Sequence, residues 1–268
     1  MYPYEILLGM DLYSLLIAVG VIVCMVLIRV QADWRGLKAK LQNLILMNAV
    51  AAVTLGYGFA VLFQAFYNYM AKGTFEIVNS TGSTFYGGLI GGTAMFIIIY
   101  FALGHFLFPD RYHVRCFRTI SEIAPAAITV AHGFGRLGCL MAGCCYGRPS
   151  DAWYAIEMVH LGYKVIPVQL FEAIFLLILS VILLLAFREE RRYLLPTYMI
   201  TYACWRFVAE ILRNDYRGAT VVDFLTPSQL ISVLLLVGGV VLLVIEMSVD
   251  RRAAARAEAE PASEVAHE

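Results

Sequence analysis

Long, unbroken apolar runs decide what this chain can become. Residues 168–187 read VQLFEAIFLLILSVILLLAF, with one charge in twenty residues. About 20 such residues are what a helix needs to cross the hydrocarbon of a bilayer. The pattern predicts seven spans, over residues 11–30, 43–64, 84–108, 120–141, 167–187, 194–213 and 227–247. The runs are continuous, unlike the alternating ten-residue segments of a membrane β-barrel. The expected fold is an all-α integral membrane protein of about seven transmembrane helices, with a small extracytoplasmic loop region. Composition agrees. The chain is 61% apolar and 15% charged, against about 45–50% and about 25% in soluble domains. These values argue against a soluble enzyme and a disordered chain. A formal net charge of +0 lacks the basic excess of a nucleic-acid binder.

Lys and Arg near helix ends mark the cytoplasmic side. Thirteen of the twenty basic residues follow spans one, three, five and seven, from Arg29 and Lys38 to Arg251, Arg252 and Arg256. This places the N-terminus outside and the C-terminus in the cytoplasm, which requires an odd number of spans. Residues 1–247 are expected to form one membrane domain, and 248–268, rich in Ala and Glu, a flexible cytoplasmic tail. The flank MYPYEILLGMD is acidic, so the first span does not read as a cleaved signal peptide.

Charges inside spans are costly and usually face a cavity or a partner. In TYACWRFVAEILRND, Tyr202, Arg206, Glu210 and Arg213 recur at spacings of four, four and three, on one helical face. They suit an anion, because guanidinium binds phosphate in a fork and keeps its charge when desolvated. An ion pair that fixes helix packing is the plainer reading, and Arg213 alone can snorkel. HGFGRLGCLMAGCCYGRPSD carries Arg136 among closely spaced glycines. These suggest either a tight helix crossing or a helix that breaks near Gly143. GSTFYGGLIGG places Gly87 and Gly88 on a small-residue face behind Tyr86; alone it reads as a packing motif. Gln169 and Glu172 stand at i and i+3 at the start of the fifth span, where an acid also suits the helix dipole. All four groups fall toward the outer half of the membrane. Together they suggest one polar cavity there, with phospholipid headgroups as the anionic ligand.

HGFGRLG…YGRPSD, FYGGLIGG, PVQLFEA, WRFVAEILR and TPSQL occur in this order, and in it the chain resembles bacterial prolipoprotein diacylglyceryl transferases over nearly its whole length. The resemblance implies a multi-pass protein of the bacterial inner membrane. It implies transfer of a diacylglyceryl group from phosphatidylglycerol to the lipobox cysteine thiol of precursor proteins, releasing glycerol phosphate. It assigns Arg136 and Arg206 as essential arginines, with Tyr202 one turn before Arg206 and Glu210 one turn after. Tyr13, Gly138, Gln169, Glu172, Arg213 and Gln229 become substrate-binding candidates, with Gly87 and Gly88. Tyr86 stands where the family usually has His, and Cys139 and Cys144 where it has Asn and Glu, which marks a divergent member. The attacking thiolate comes from the substrate; Tyr86, Tyr202 and Glu172 are the candidates to take its proton. A related transferase with another donor or acceptor is the alternative, as is a lipid-binding or transport protein without chemistry.

Six cysteines remain. Cys24 and Cys204 lie in spans and read as packing, and Cys116 has no evident partner. Cys139, Cys144 and Cys145 can be read as packing residues at a Gly-rich turn, as a disulfide, or as metal ligands with His132. The paired C-x-x-C spacing of a strong zinc site is missing, so no metal is expected. Nor is a cofactor: there is no P-loop, and no G-x-G-x-x-G after a strand.

Overall fold

A computed structural model of the chain describes residues 5–7, 9–73, 75, 77, 84–213 and 224–264. Among these residues seven helices form: α1 (Leu12–Trp34), α2 (Ala39–Lys72), α3 (Phe85–Leu107), α4 (Tyr112–Ala142), α5 (Val168–Arg188), α6 (Leu194–Ile211) and α7 (Pro227–Glu264). Six of these helices are long and apolar enough to cross a membrane. The remaining one, α6, is shorter and carries Arg206 and Glu210. At about 1.5 Å per residue its 18 residues still cover about 27 Å. Two small antiparallel hairpins accompany the helices: β1 (Glu5–Leu7) with β2 (Met10–Asp11), and β3 (Ile156–Met158) with β4 (Tyr163–Val165).

Large apolar side chains stay exposed along the spans. Ile178, Val181, Ile182 and Leu185 of α5 are each more than half exposed. On a soluble protein so long an apolar face would be an association site; here it is the surface that meets lipid.

The chain divides into two compact units. One comprises residues 28–120. In it α2 and α3 pack through glycines: a Cβ on Gly56 would come within 2.9 Å of the Gly88 carbonyl oxygen. Asn48 Nδ2 donates to the Phe96 carbonyl at 2.8 Å, a side-chain bond of the kind that ties spans together where water is absent. Tyr100, fully buried, donates to the His113 carbonyl and packs edge-on to Phe101. Lys40 Nζ reaches the Leu107 carbonyl at 2.8 Å, satisfying one acceptor at the C-terminus of α3.

The other unit comprises residues 1–27 and 121–268. Ser180 of α5 donates to the Ala126 carbonyl of α4 at 2.8 Å, and Trp205 of α6 stacks on Phe175 of α5 with centroids 4.3 Å apart. Gly20 of α1 leaves room for α4; a Cβ there would lie 2.7 Å from Phe134 Cβ. Gly239 does the same for α7 beside Met199 and Ile200 of α6. As its sequence suggests, α4 breaks at Gly143, whose φ is 72°. The Gly143 amide donates to the Leu140 carbonyl and the Cys144 amide to the Cys139 carbonyl. That pair of bonds is a Schellman ending with glycine in the left-handed position.

Candidate functional site

Three helices of the second unit converge on Glu172. It lies in the second turn of α5, fully buried. Its Oε2 stands 3.0 Å from Arg136 Nε of α4, a close ionic contact in which the N–H is not aimed at the oxygen. Its Oε1 accepts from the Tyr202 hydroxyl of α6 at 3.0 Å. Tyr202 stacks on Tyr198 one turn earlier and meets the His132 ring edge-on at 5.2 Å. Arg136 and His132 are i and i+4, so α4 presents both to this point. The Arg136 side chain retains 13% exposure, whereas Glu172 retains none.

One turn along α6, Arg206 forms a second centre. Its Nη2 donates to Glu210 Oε2 on the same helix and to Ser228 Oγ of α7 at 2.9 Å. Glu210 Oε1 in turn accepts from Thr226 Oγ1 at 3.1 Å. The local reason lies in the start of α7. Thr226 caps it: the Gln229 amide donates to Thr226 Oγ1 at 3.2 Å, and the Thr226 amide donates to Gln229 Oε1 at 3.1 Å. This is a reciprocal capping box, followed by Pro227 at the first helical position, where no amide is needed. TPSQL therefore builds a rigid helix start against Arg206. The Gln229 side-chain carbonyl accepts within this cap.

The two arginines have separate carboxylates, yet they are not isolated from one another. Glu172 and Tyr202 both lie in the electrostatic field of Arg136 and of Arg206. Arg206 Nη1 is buried without a hydrogen-bond partner among the described residues. Such an orphan donor normally costs about 1–3 kcal/mol; an arriving oxyanion would relieve it. Arg213 is also buried.

Gln169 is fully buried. Its Nε2 donates to the Cys144 carbonyl at 3.2 Å, and its Oε1 has no partner among the described residues. Arg213 joins the site through its backbone, bridging to Gly147. The Gly147 amide donates to the Ile166 carbonyl and the Arg148 amide to the Leu212 carbonyl, so this strip holds the end of α6 against the start of α5. Tyr13 is 36% exposed and packs over Gly138, whose added Cβ would stand 3.0 Å from the Tyr13 ring.

The sequence-predicted residues of α3 belong to the other unit. Gly87 and Gly88 face α2, where a Cβ on Gly87 would lie 2.6 Å from Phe63 Cβ; this is the packing role. The Tyr86 side chain lies outside the described part of the structure. A cavity of about 440 Å³ in that unit is lined by residues such as Phe101, His105, Arg111 and His113 and holds none of the site residues named above.

The family model described as prolipoprotein diacylglyceryl transferase matches residues 4–245. The chain belongs to this family. Among its relatives, phosphatidylglycerol–prolipoprotein diacylglyceryl transferase 2 of Clostridium perfringens is 30% identical over 87% of this chain and 91% of the relative. The corresponding transferase of Clostridium tetani is 27% identical over 85% and 90%, and that of Staphylococcus haemolyticus 28% identical over 88% and 84%.

Within this family member, four residues around the arginines escaped sequence reasoning in their present roles. The cysteine pattern suggests His132 only as a metal ligand; it stands against Tyr202 instead. Tyr198 supports Tyr202, and Thr226 and Ser228 hold Glu210 and Arg206. Thr226 carried a usable signal, since T-x-x-Q before an apolar run marks a capped helix start. Ser228 carried none.

Proposed function

We propose that this chain transfers the diacylglyceryl group of phosphatidylglycerol to the lipobox cysteine of precursor proteins, as a multi-pass protein of the bacterial inner membrane. Its relatives, which carry the name of that transferase, match it over most of its length. The single observation behind the mechanistic reading is the pair of buried guanidiniums, each in ionic contact with its own carboxylate, on α4 and α6 of one unit.

In this reading the lipid phosphoester lies between Arg136 and Arg206. The substrate thiolate attacks the glycerol carbon that bears the phosphate, a C–S bond forms as the C–O bond breaks, and glycerol phosphate departs. Charge grows on the leaving oxygen, and preorganised cations in a water-poor site stabilise it. Glu172 and Glu210 keep the two cations aimed. The thiol proton passes to Glu172, with Tyr202, hydrogen-bonded to Glu172 Oε1, completing the relay. Arg213, Gln169, Tyr13 and Gly138 line the approach. The charge bias of the loops supports an outside N-terminus, which sets this chemistry toward the outer leaflet.

Purified protein with labelled phosphatidylglycerol and a lipobox peptide tests the reading. Arg136→Ala and Arg206→Ala are expected to lose transfer while still inserting in the membrane. Full transfer by either variant would overturn the role given to the arginines, and no transfer by the wild-type chain would overturn the reaction.

A further inference from the structure

Cys139, Cys144 and Cys145 play no part in the transfer chemistry, yet the fold gathers them. Their three Sγ atoms all lie within 4.8 Å of one another, and all three thiols are free. The cause is the ending of α4. In a Schellman motif the side chains three residues before the end and two after it come into contact, usually as an apolar pair. Here those two positions are Cys139 and Cys144. Cys145 follows with φ at 65°, a left-handed conformation that a non-glycine residue adopts only at a cost of about 1–3 kcal/mol. That turn brings the third sulfur back onto the other two.

We propose that this trio is a metal site for a thiophilic d10 ion of the zinc, cadmium or copper(I) kind. Zinc–sulfur bonds of about 2.3 Å require sulfurs about 3.8–4.0 Å apart in tetrahedral or trigonal geometry, so closure asks for a shift of less than about 1 Å. On binding a divalent ion, three S–H bonds give their protons to solvent and three metal–sulfur bonds form, with no change of oxidation state. Three thiolates around a divalent ion leave one negative charge, and the Arg213 guanidinium stands beside Cys145 to balance it. Soft thiolate ligands select such ions over magnesium or calcium. His132 is not needed; it meets the Tyr202 ring edge-on instead. A metal here clamps the end of α4 one turn beyond Arg136, at the point where the Gln169 side chain docks on the Cys144 carbonyl.

The test uses the full-length protein in detergent, reduced and then freed of reductant, titrated with cadmium while the thiolate-to-metal charge-transfer absorption is followed. Saturation at a single equivalent is expected, and cadmium displaces zinc from protein loaded with zinc beforehand. Cys139→Ser, Cys144→Ser and Cys145→Ser each lose the saturable band, whereas Cys24→Ser and Cys116→Ser retain it. Absence of a saturable band in the wild-type protein overturns the proposal even if the variants fail to fold. So does mass spectrometry that finds two of the three sulfurs joined as a disulfide in protein isolated without reductant.

Discussion

Thr226 Oγ1 lies 3.1 Å from Glu210 Oε1, so the residue that caps α7 also steadies the carboxylate that holds Arg206. Capping and chemistry are therefore linked at this point. Thr226→Ala removes a cap worth about 1 kcal/mol and one hydrogen bond to Glu210. A lower unfolding temperature in detergent and reduced transfer are expected together. Gln229→Ala removes only the return half of the capping box and costs less of both. If Gln229→Ala proves the more damaging of the two, its side chain acts beyond the cap.

Glu172 is the junction of the first centre, and its two bonds differ in weight. Glu172→Gln leaves Arg136 as a buried charge without its partner, a loss of about 3 kcal/mol or more. Tyr202→Phe removes one hydrogen bond to a charged acceptor, about 1.5–3 kcal/mol. The double change Arg136→Met with Glu172→Leu restores much of the stability, because a buried pair is often replaceable by apolar side chains. It restores no transfer. Thermal unfolding and a lipidation assay on the same preparations separate the two effects.

Much of this arrangement is visible in the amino-acid order. The four-residue spacing of Tyr202, Arg206 and Glu210 places them together on the buried side of α6, and all three are buried. The glycine after α4 marks its end correctly. What the apolar runs do not reveal is how far a helix continues beyond hydrocarbon. α4 begins at Tyr112 rather than 120, and α7 continues to Glu264, because charged turns are still good helix. The β3–β4 hairpin is too short for a periodic signal; only Gly162, with φ at 70°, marks its turn. Ser228 matters through its neighbours alone, and no pattern in a single chain announces a hydroxyl.

Two glycines of the second unit should respond in opposite ways to a methyl group. A Cβ on Gly147 would sit 2.7 Å from the Leu212 carbonyl oxygen and 2.9 Å from that of Ile166, and backbone atoms cannot step aside cheaply. Gly147→Ala should therefore destabilise the protein and detach the Arg213 strip. Gly135, inside α4, has nothing within 4 Å of the added atom, so Gly135→Ala should be neutral or stabilise by up to about 1 kcal/mol through helix propensity. Unfolding temperatures of the two variants decide the matter; equal losses would contradict the packing described.

Reporter fusions test the orientation. Green fluorescent protein fused after Glu268 is expected to fluoresce, and alkaline phosphatase inserted at the exposed Trp153 to be active. The reverse pattern would place the arginines toward the other leaflet.

Because Ser228 and the Glu210 carboxylate already grip Arg206, a lipid diffusing in sideways meets a charge that has finished its conformational search. How long a headgroup stays is then governed by its own escape back into the bilayer, and a competitive inhibitor would do best by being rigid in the same way.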